Sequence, residues 1–589
     1  MNRSFIRKAR ILFTAPQVIA LLAVFPCNSL SASPPVEPGK CKAPPELEAK
    51  RASHPSTDAY EQLGSYFGQN DLYSCAISAF RASLRLNPKS WQARAYLGMA
   101  LLANREPESA VGELRRSLQL NPNQPNTHMT LGAALSQMNQ LDAAIEEFKA
   151  VLKTDPKSVT ALDWLSKALI SEGRYSAAIA LLRKGPADEV LQMNLVIAYS
   201  KSEDNDDAIR ILSQMIKDRP LSAVPHAGLA TVYTQQNRLE DAVVELKEAL
   251  RLNPKDDVAR VSYVKVLVLL TQFRTALPLA QDYLSRHPNE FEALYLMGVT
   301  DLELGNYEHA KDMLTRAVRL NPNHYDTRYS LGVAFTKVGH LEPAKQQLEI
   351  ALKLDPSSSQ AHFRLATVLR SLGRPDEAKK QLELYQLTSA EHAKKDVATT
   401  KARQAKEFLR NGNAQRAVEL YKEAIQDSPK DAHLFLNLAL ALDRKGDADS
   451  EREALEKAIE LDPRLALAHN QLGLLGFQAG QTTQAEKEFK AAIGVNPHYA
   501  EAQNNLGTLY GQQGNDAEAE RLFRQAIDSD PGYAQAFVNL AATLASESRF
   551  AEAEGAVQNA IEIEPDNKEA LDLRAMLRAH ASQQNTTAK

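Results

Sequence analysis

Apolar residues recur along most of this chain in two alternating stripes of helical period, and the spacing is clearest in 500–531, AEAQNNLGTLYGQQGNDAEAERLFRQAIDSDP. With Ala500 as position 1, Leu506, Gly507 and Tyr510 fall at positions 7, 8 and 11, and Ala519, Phe523 and Ala526 at 20, 24 and 27. Three- and four-residue steps of this kind predict one buried face on each of two helices. Gly514 at position 15 lies between the stripes, where a residue without a Cβ ends a helix in the left-handed conformation at little cost. Pro531 at position 32 stops the second helix, since it has no amide to donate and biases its predecessor away from the α region. The unit is a helical hairpin.

The hairpin repeats. Pro88, Pro122 and Pro156 are 34 residues apart, as are Pro186, Pro220, Pro254, Pro288, Pro322 and Pro356, and again Pro429, Pro463, Pro497, Pro531 and Pro565. The small residue of position 20 keeps the same register as Ala76, Ala110, Ala144, Ala178, Ala208, Ala242, Ala276, Ala310, Ala344, Ala378, Ala417, Ala485, Ala519 and Ala553, with Glu451 the one departure. An alanine there lets the two helices approach closely, so Glu451 puts the packing of its own unit in question. Repetition at this length predicts a solenoid in which each unit packs on its neighbours.

Leu-Gly, an aromatic residue, Ala, a second aromatic, Ala and Pro at 34-residue spacing resemble the tetratricopeptide repeat over roughly residues 57–579, about fifteen units. The resemblance implies an all-α right-handed superhelix of helix pairs. It also implies a concave groove, lined by the first helices, that binds peptides or proteins, and it implies no chemistry.

Two units depart in length. The fourth is clipped, with eight residues from Ala178 to Pro186 against twelve from Ala144 to Pro156, so its second helix is expected to lose about one turn. Pro356 and Pro429 are 73 apart, and 376–411 contains neither Pro nor Gly. Either one helix runs through this stretch, or a five-residue loop sits near 396–400, where Thr399 and Thr400 are poor helix formers. The expected organisation is a first sub-array at 57–390, an irregular helical junction at 391–400, and a second sub-array with a closing amphipathic helix at 401–579. A polar tail follows at 580–589.

The amino terminus differs in kind. Arg3, Arg7, Lys8 and Arg10 precede an apolar run from Ile11 to Phe25 and then small residues, the pattern of a secretory signal peptide over 1–32. An uncleaved anchor is the alternative, and a lipoprotein signal at Cys27 is disfavoured by Pro26. Residues 33–56, rich in proline, read as a flexible lead-in. Removing the four cations takes the net charge from −4 to −8. With acidic and basic residues interleaved, no basic stripe is left for nucleic acid. Cys41 and Cys75 then remain as the only cysteines, and an exported chain meets an oxidising environment in which they can pair or stay as two free thiols.

No catalytic, cofactor-binding or metal-ligating set emerges. His128, His226, His362 and His469 all fall at position 4, on the buried stripe, and read as packing residues, while His287, His324 and His498 flank the inter-repeat prolines. No phosphate loop or nucleophile elbow is present, and no unassigned segment is long enough for a catalytic domain. The suggestive constellation is a row of amides at position 6, Asn437, Gln471, Asn505 and Asn539, each 34 from the next, with Asn194 an earlier match. It resembles the asparagine ladder in the repeat superhelix of O-linked N-acetylglucosamine transferases, whose catalytic domain is missing from this sequence. A side-chain amide both donates and accepts, so such a row can hold a peptide backbone of any sequence; the alternative is an ordinary solvated face. Lying outside the core, these side chains are expected to contribute little to stability. The expected protein is an exported, most simply periplasmic, non-enzymatic scaffold for protein or peptide ligands. The alternatives are an assembly or secretion factor in a membrane-associated envelope complex, and a substrate-delivering subunit of a separate enzyme.

Overall fold

A computed structural model describes residues 41–202 and 204–587; the signal peptide expected at 1–32, Cys27 and the first part of the lead-in lie outside the described residues. The described residues form an all-α succession of helical hairpins in two compact units, one ending at Pro220 and one beginning at Leu221. Repeats 1–5 fall in the first and repeats 6–15 in the second.

Each hairpin is set by a close crossing between positions 8 and 24. A Cβ on Gly507 would stand 2.7 Å from a ring carbon of Phe523, and one on Gly473 2.7 Å from Phe489. In repeats 1 and 3 the corresponding approaches are 2.6 Å for Gly64 on Phe80 and 2.5 Å for Gly132 on Phe148. Carbon atoms do not pack that closely, so in these repeats the ring at 24 leaves no room for a Cβ at 8. Where the sizes trade, both positions stay buried: repeat 7 pairs Val264 with Ala280, and repeat 15 pairs Ala541 with Val557. The turn slot at position 15 is left-handed even without glycine, with Asn139 at φ 56° and Asn237 at φ 60°, as the tolerance of asparagine for this conformation predicts.

The position-4 histidines prove to be polar rivets rather than apolar packing. Nδ1 of His128 meets Glu147 at 2.5 Å, that of His226 meets Glu245 at 2.6 Å, and that of His469 meets Glu488 at 2.7 Å, in each case across to the second helix. Nε2 of His128 and His469 reaches the carbonyl of the preceding repeat's proline, Pro122 at 3.0 Å and Pro463 at 3.1 Å. Arg94 makes the same pair of contacts, to Glu113 at 2.6 Å and the Pro88 carbonyl at 2.8 Å. The proline that ends one repeat thus offers its carbonyl to the next.

At the phase break one helix of 36 residues, Pro375–Arg410, closes repeat 10 and opens repeat 11, about 54 Å long at 1.5 Å per residue. The loop alternative fails because the threonines return their hydroxyls to the helix: Thr399 Oγ1 donates to the Lys395 carbonyl at 2.8 Å and Thr400 Oγ1 to that of Asp396 at 2.9 Å. Ala398 and Ala405, buried on its second half, carry the packing into repeat 11. The division between compact units falls at 220/221. The missing proline removed a helix stop without adding a joint.

Both flanks also differ from expectation. Within the segment expected to be flexible, Pro45–Ser53 is a helix whose Leu47 packs on the core of repeat 1. Cys41 and Cys75 are joined by a disulfide, with Cα atoms 5.6 Å apart, which ties this helix's leading end to the second helix of repeat 1. The closing helix runs Lys568–Thr587, beyond the expected end at 579, and buries Ala570 and Leu577. The clipped repeat 4 has a second helix of nine residues, Tyr175–Arg183, against fourteen for Leu141–Thr154.

The position 8/24 crossing makes a direct forecast. Gly473→Ala should destabilise the chain by about 1–3 kcal/mol through overpacking against Phe489, and adding Phe489→Val should recover part of the loss, copying repeat 15. Urea unfolding followed by circular dichroism measures both; an unaffected Gly473→Ala variant would show that the crossing has slack.

Candidate functional site: an amide row on the first helices

The row lies on four first helices, Ala432–Lys445, Ala466–Gln478, Ala500–Gln512 and Ala534–Ser546, and Asn437, Gln471, Asn505 and Asn539 are each half-buried. They are not equivalent. Asn505 Nδ2 donates to Asn470 Oδ1 at 3.0 Å, and Asn539 Nδ2 donates to Asn504 Oδ1 at 2.9 Å and to Thr508 Oγ1 at 3.3 Å. The bonds to Asn470 and Asn504 join position 6 of one repeat to position 5 of the repeat before, and both acceptors are buried. Asn194 obeys the same rule in the first compact unit, donating to Asp163 Oδ1 at 2.8 Å and to Ser166 Oγ at 3.0 Å. Asn437 and Gln471 face Ala402 and Leu436 at the preceding position 5 and find no polar acceptor in that slot.

The sequence reading thus located the row and missed the lock. Its signal was available: Asn504 and Asn505 are adjacent, and tyrosine precedes the first helix at both Tyr499 and Tyr533. The Tyr499 phenol is hydrogen-bonded to Asn470, and Asn504 Nδ2 reaches the Tyr533 hydroxyl at 3.5 Å. Burial, reinforced by the charge of Glu501, pushes the Tyr499 hydroxyl well above the usual phenol range and that of Tyr533 to about 12. Both phenols therefore stay protonated at neutral pH. At the carboxyl end, Gln535 Nε2 donates to Asn539 Oδ1 at 3.1 Å and to Glu569 at 3.0 Å, carrying the network onto the closing helix.

Models of the tetratricopeptide repeat match residues 61–125, 335–390, 403–466 and 470–534, then 101–158, 135–192, 199–265 and 512–577, and also 291–324. The chain belongs to the tetratricopeptide repeat family. A search of curated proteins gives no match. Among solved structures it is similar to the crystal structure of the APC/C hetero-tetramer Cut9–Hcn1, at 14% identity and a TM-score of 0.33, covering 88% of this chain and 96% of that one. It is also similar to the crystal structure of the MamA protein, at 24% identity and a TM-score of 0.26, covering 29% of this chain and 93% of that one. A tetratricopeptide-repeat array is generally a non-catalytic protein–protein interaction scaffold, and such a scaffold is the reading that the repeats support here. No helix among the described residues is long and apolar enough to cross a membrane.

The lock separates the amides whose loss should affect stability from those whose loss should not. Asn539→Ala strands the buried Asn504 and should cost about 1–2 kcal/mol, whereas Asn437→Ala should change stability by less than about 0.5 kcal/mol. Replacing both lock partners, Asn539→Ala with Asn504→Leu, should recover part of the loss in urea unfolding. Equal effects at 437 and 539 would count against the lock.

Proposed function

We propose that this tetratricopeptide-repeat chain is an exported, non-enzymatic scaffold, periplasmic in a bacterial cell, that holds extended peptide segments against the first helices of repeats 12–15. The observation that carries the reading is the amide row itself. One side chain per repeat, at one angle on the helix, offers an unselective donor and acceptor to a peptide backbone, and the two lock bonds fix the orientation of Asn505 and Asn539 in advance. Asn437 and Gln471, free of the lock, are the adaptable rungs. Export is supported by the basic-then-apolar amino terminus and by the Cys41–Cys75 link, a bond that persists in oxidising compartments.

Because Asn505 and Asn539 also hold the array together, the informative variant is Asn437→Ala with Gln471→Ala. Its affinity for a pool of random 12-residue peptides, titrated by fluorescence anisotropy, should fall several-fold at unchanged stability, the two lost amides together costing about 1 kcal/mol once the rotamer freedom they give up is counted. Wild-type affinity in that variant would reduce the row to a solvated face. Amino-terminal sequencing of the chain recovered from the bacterial envelope should begin near Ser33; recovery of Met1 would refute cleavage of the signal.

A further inference from the structure

Position 20 is alanine in every repeat except the twelfth, where Glu451 occupies it. The substitution is not pushed out to solvent: Glu451 is 5% exposed, in the first turn of helix Ala448–Leu461, and no hydrogen bond to its carboxylate occurs among the described residues. At the position 8/24 crossing its hairpin pairs Ala439 with Leu455, both buried. A carboxylate this nearly enclosed and without a hydrogen-bond partner is disfavoured in its ionised form.

The surroundings add to this. On the facing helix, Ala432–Lys445, Asp443 acts on Glu451 by charge repulsion, in the same direction as burial. Of the cations on the two helices of this hairpin, Arg444 is exposed and the others have partners of their own. Lys445 Nζ lies 3.3 Å from Asp447, whose carboxylate caps the Ser450 amide, and Arg452 donates to Gln481 at 3.2 Å. In the second helix of repeat 11, Ala414–Asp427, Arg416 is paired with Glu419 and Asp427 with Lys401. The first helix of repeat 13, Ala466–Gln478, has one titratable side chain, His469, and it is riveted to Glu488 and the Pro463 carbonyl. In the second helix of that repeat, Thr482–Val495, Lys490 is held by Glu486. The opposing influence is the helix amino terminus, which favours a carboxylate in the first turn but weakly compared with unpaired burial.

We propose that repeat 12 is a proton-controlled latch, in which neutral Glu451 lets the hairpin close fully and its ionisation loosens the second helix. Burial, then Asp443, raise the Glu451 carboxyl from the ordinary value near 4.5 to about 7. A folded value above the unfolded one means that the folded hairpin keeps a proton the open chain gives up. The stabilisation is therefore whole below pH 4.5, declines as pH rises between 4.5 and 7, and is gone above 7. The shift corresponds to a change on the order of 10²-fold in the opening equilibrium of the hairpin. The latch adjoins the amide row, since Asn437 sits on the same hairpin, but its test needs no peptide ligand and so stands or falls apart from the binding reading.

The test is amide hydrogen exchange of the full chain at pH 5 and pH 8, each corrected for the intrinsic exchange rate. Protection across Ala448–Leu461 should fall 10- to 100-fold at pH 8, while Asp516–Ser529, with Ala519 in the same slot, stays constant. Glu451→Ala, the residue of the other repeats, and the neutral isostere Glu451→Gln should both abolish the pH effect. Constant protection in the wild type, or a persisting drop in Glu451→Ala, would overturn the latch.

Discussion

The structure depends on how closely the two helices of a hairpin can cross. At positions 8 and 24 the space is one side chain's worth, used as nothing plus a ring in repeats 1, 3, 13 and 14 and divided more evenly in repeats 7 and 15. That separation places everything else. It brings position 4 of the first helix within reach of an acceptor on the second, and the proline carbonyl of the preceding repeat within reach of the same side chain. Because an array contacts only its neighbours, an error in one crossing is passed to the next interface rather than absorbed by a common core.

The fold was legible because its signals are local and periodic. Proline stops, small crossing residues and left-handed turn slots recur every 34 residues, and each announces a backbone event that depends on few neighbours. The failures are places where a tertiary partner decides. Thr399 and Thr400 look like helix breakers until their hydroxyls are seen to return to backbone carbonyls one turn earlier. The proline-rich lead-in contains a helix because Leu47 finds the uncovered end of repeat 1, a partner that helical period alone does not reveal. The candidate row was found by the same periodicity as the fold, but its internal division was not. Whether an amide at position 6 is locked depends on position 5 of the preceding repeat, a cross-repeat relation that a single-repeat consensus conceals.

Polar groups buried between repeats therefore divide into two kinds. The rivets and locks are paired on both sides, as burial requires, and they fix the angle at which one hairpin meets the next. Glu451 is an acid without a hydrogen-bond partner, in the slot where a methyl group suffices elsewhere. An unpaired acid tolerated in a core otherwise so regular is where the array's stability is most open to its surroundings.

The locks bear on recognition as well as on stability. A free asparagine or glutamine on a helix face must give up rotamer freedom to grip a peptide, a cost of about 0.5–1.5 kcal/mol per side chain that offsets much of a hydrogen bond worth about 1 kcal/mol. Asn505 and Asn539 have already lost that freedom to the buried Asn470 and Asn504. What remains at Asn505 for a ligand is one N–H and the carbonyl oxygen, held at a set angle. At Asn539 the oxygen accepts from Gln535, and the amide is bonded to both Asn504 and Thr508, so this rung is the most structural of the four. Along the row the balance thus runs from adaptable at Asn437 and Gln471, through preset at Asn505, to committed at Asn539, and a bound segment would be gripped most strongly at repeat 14.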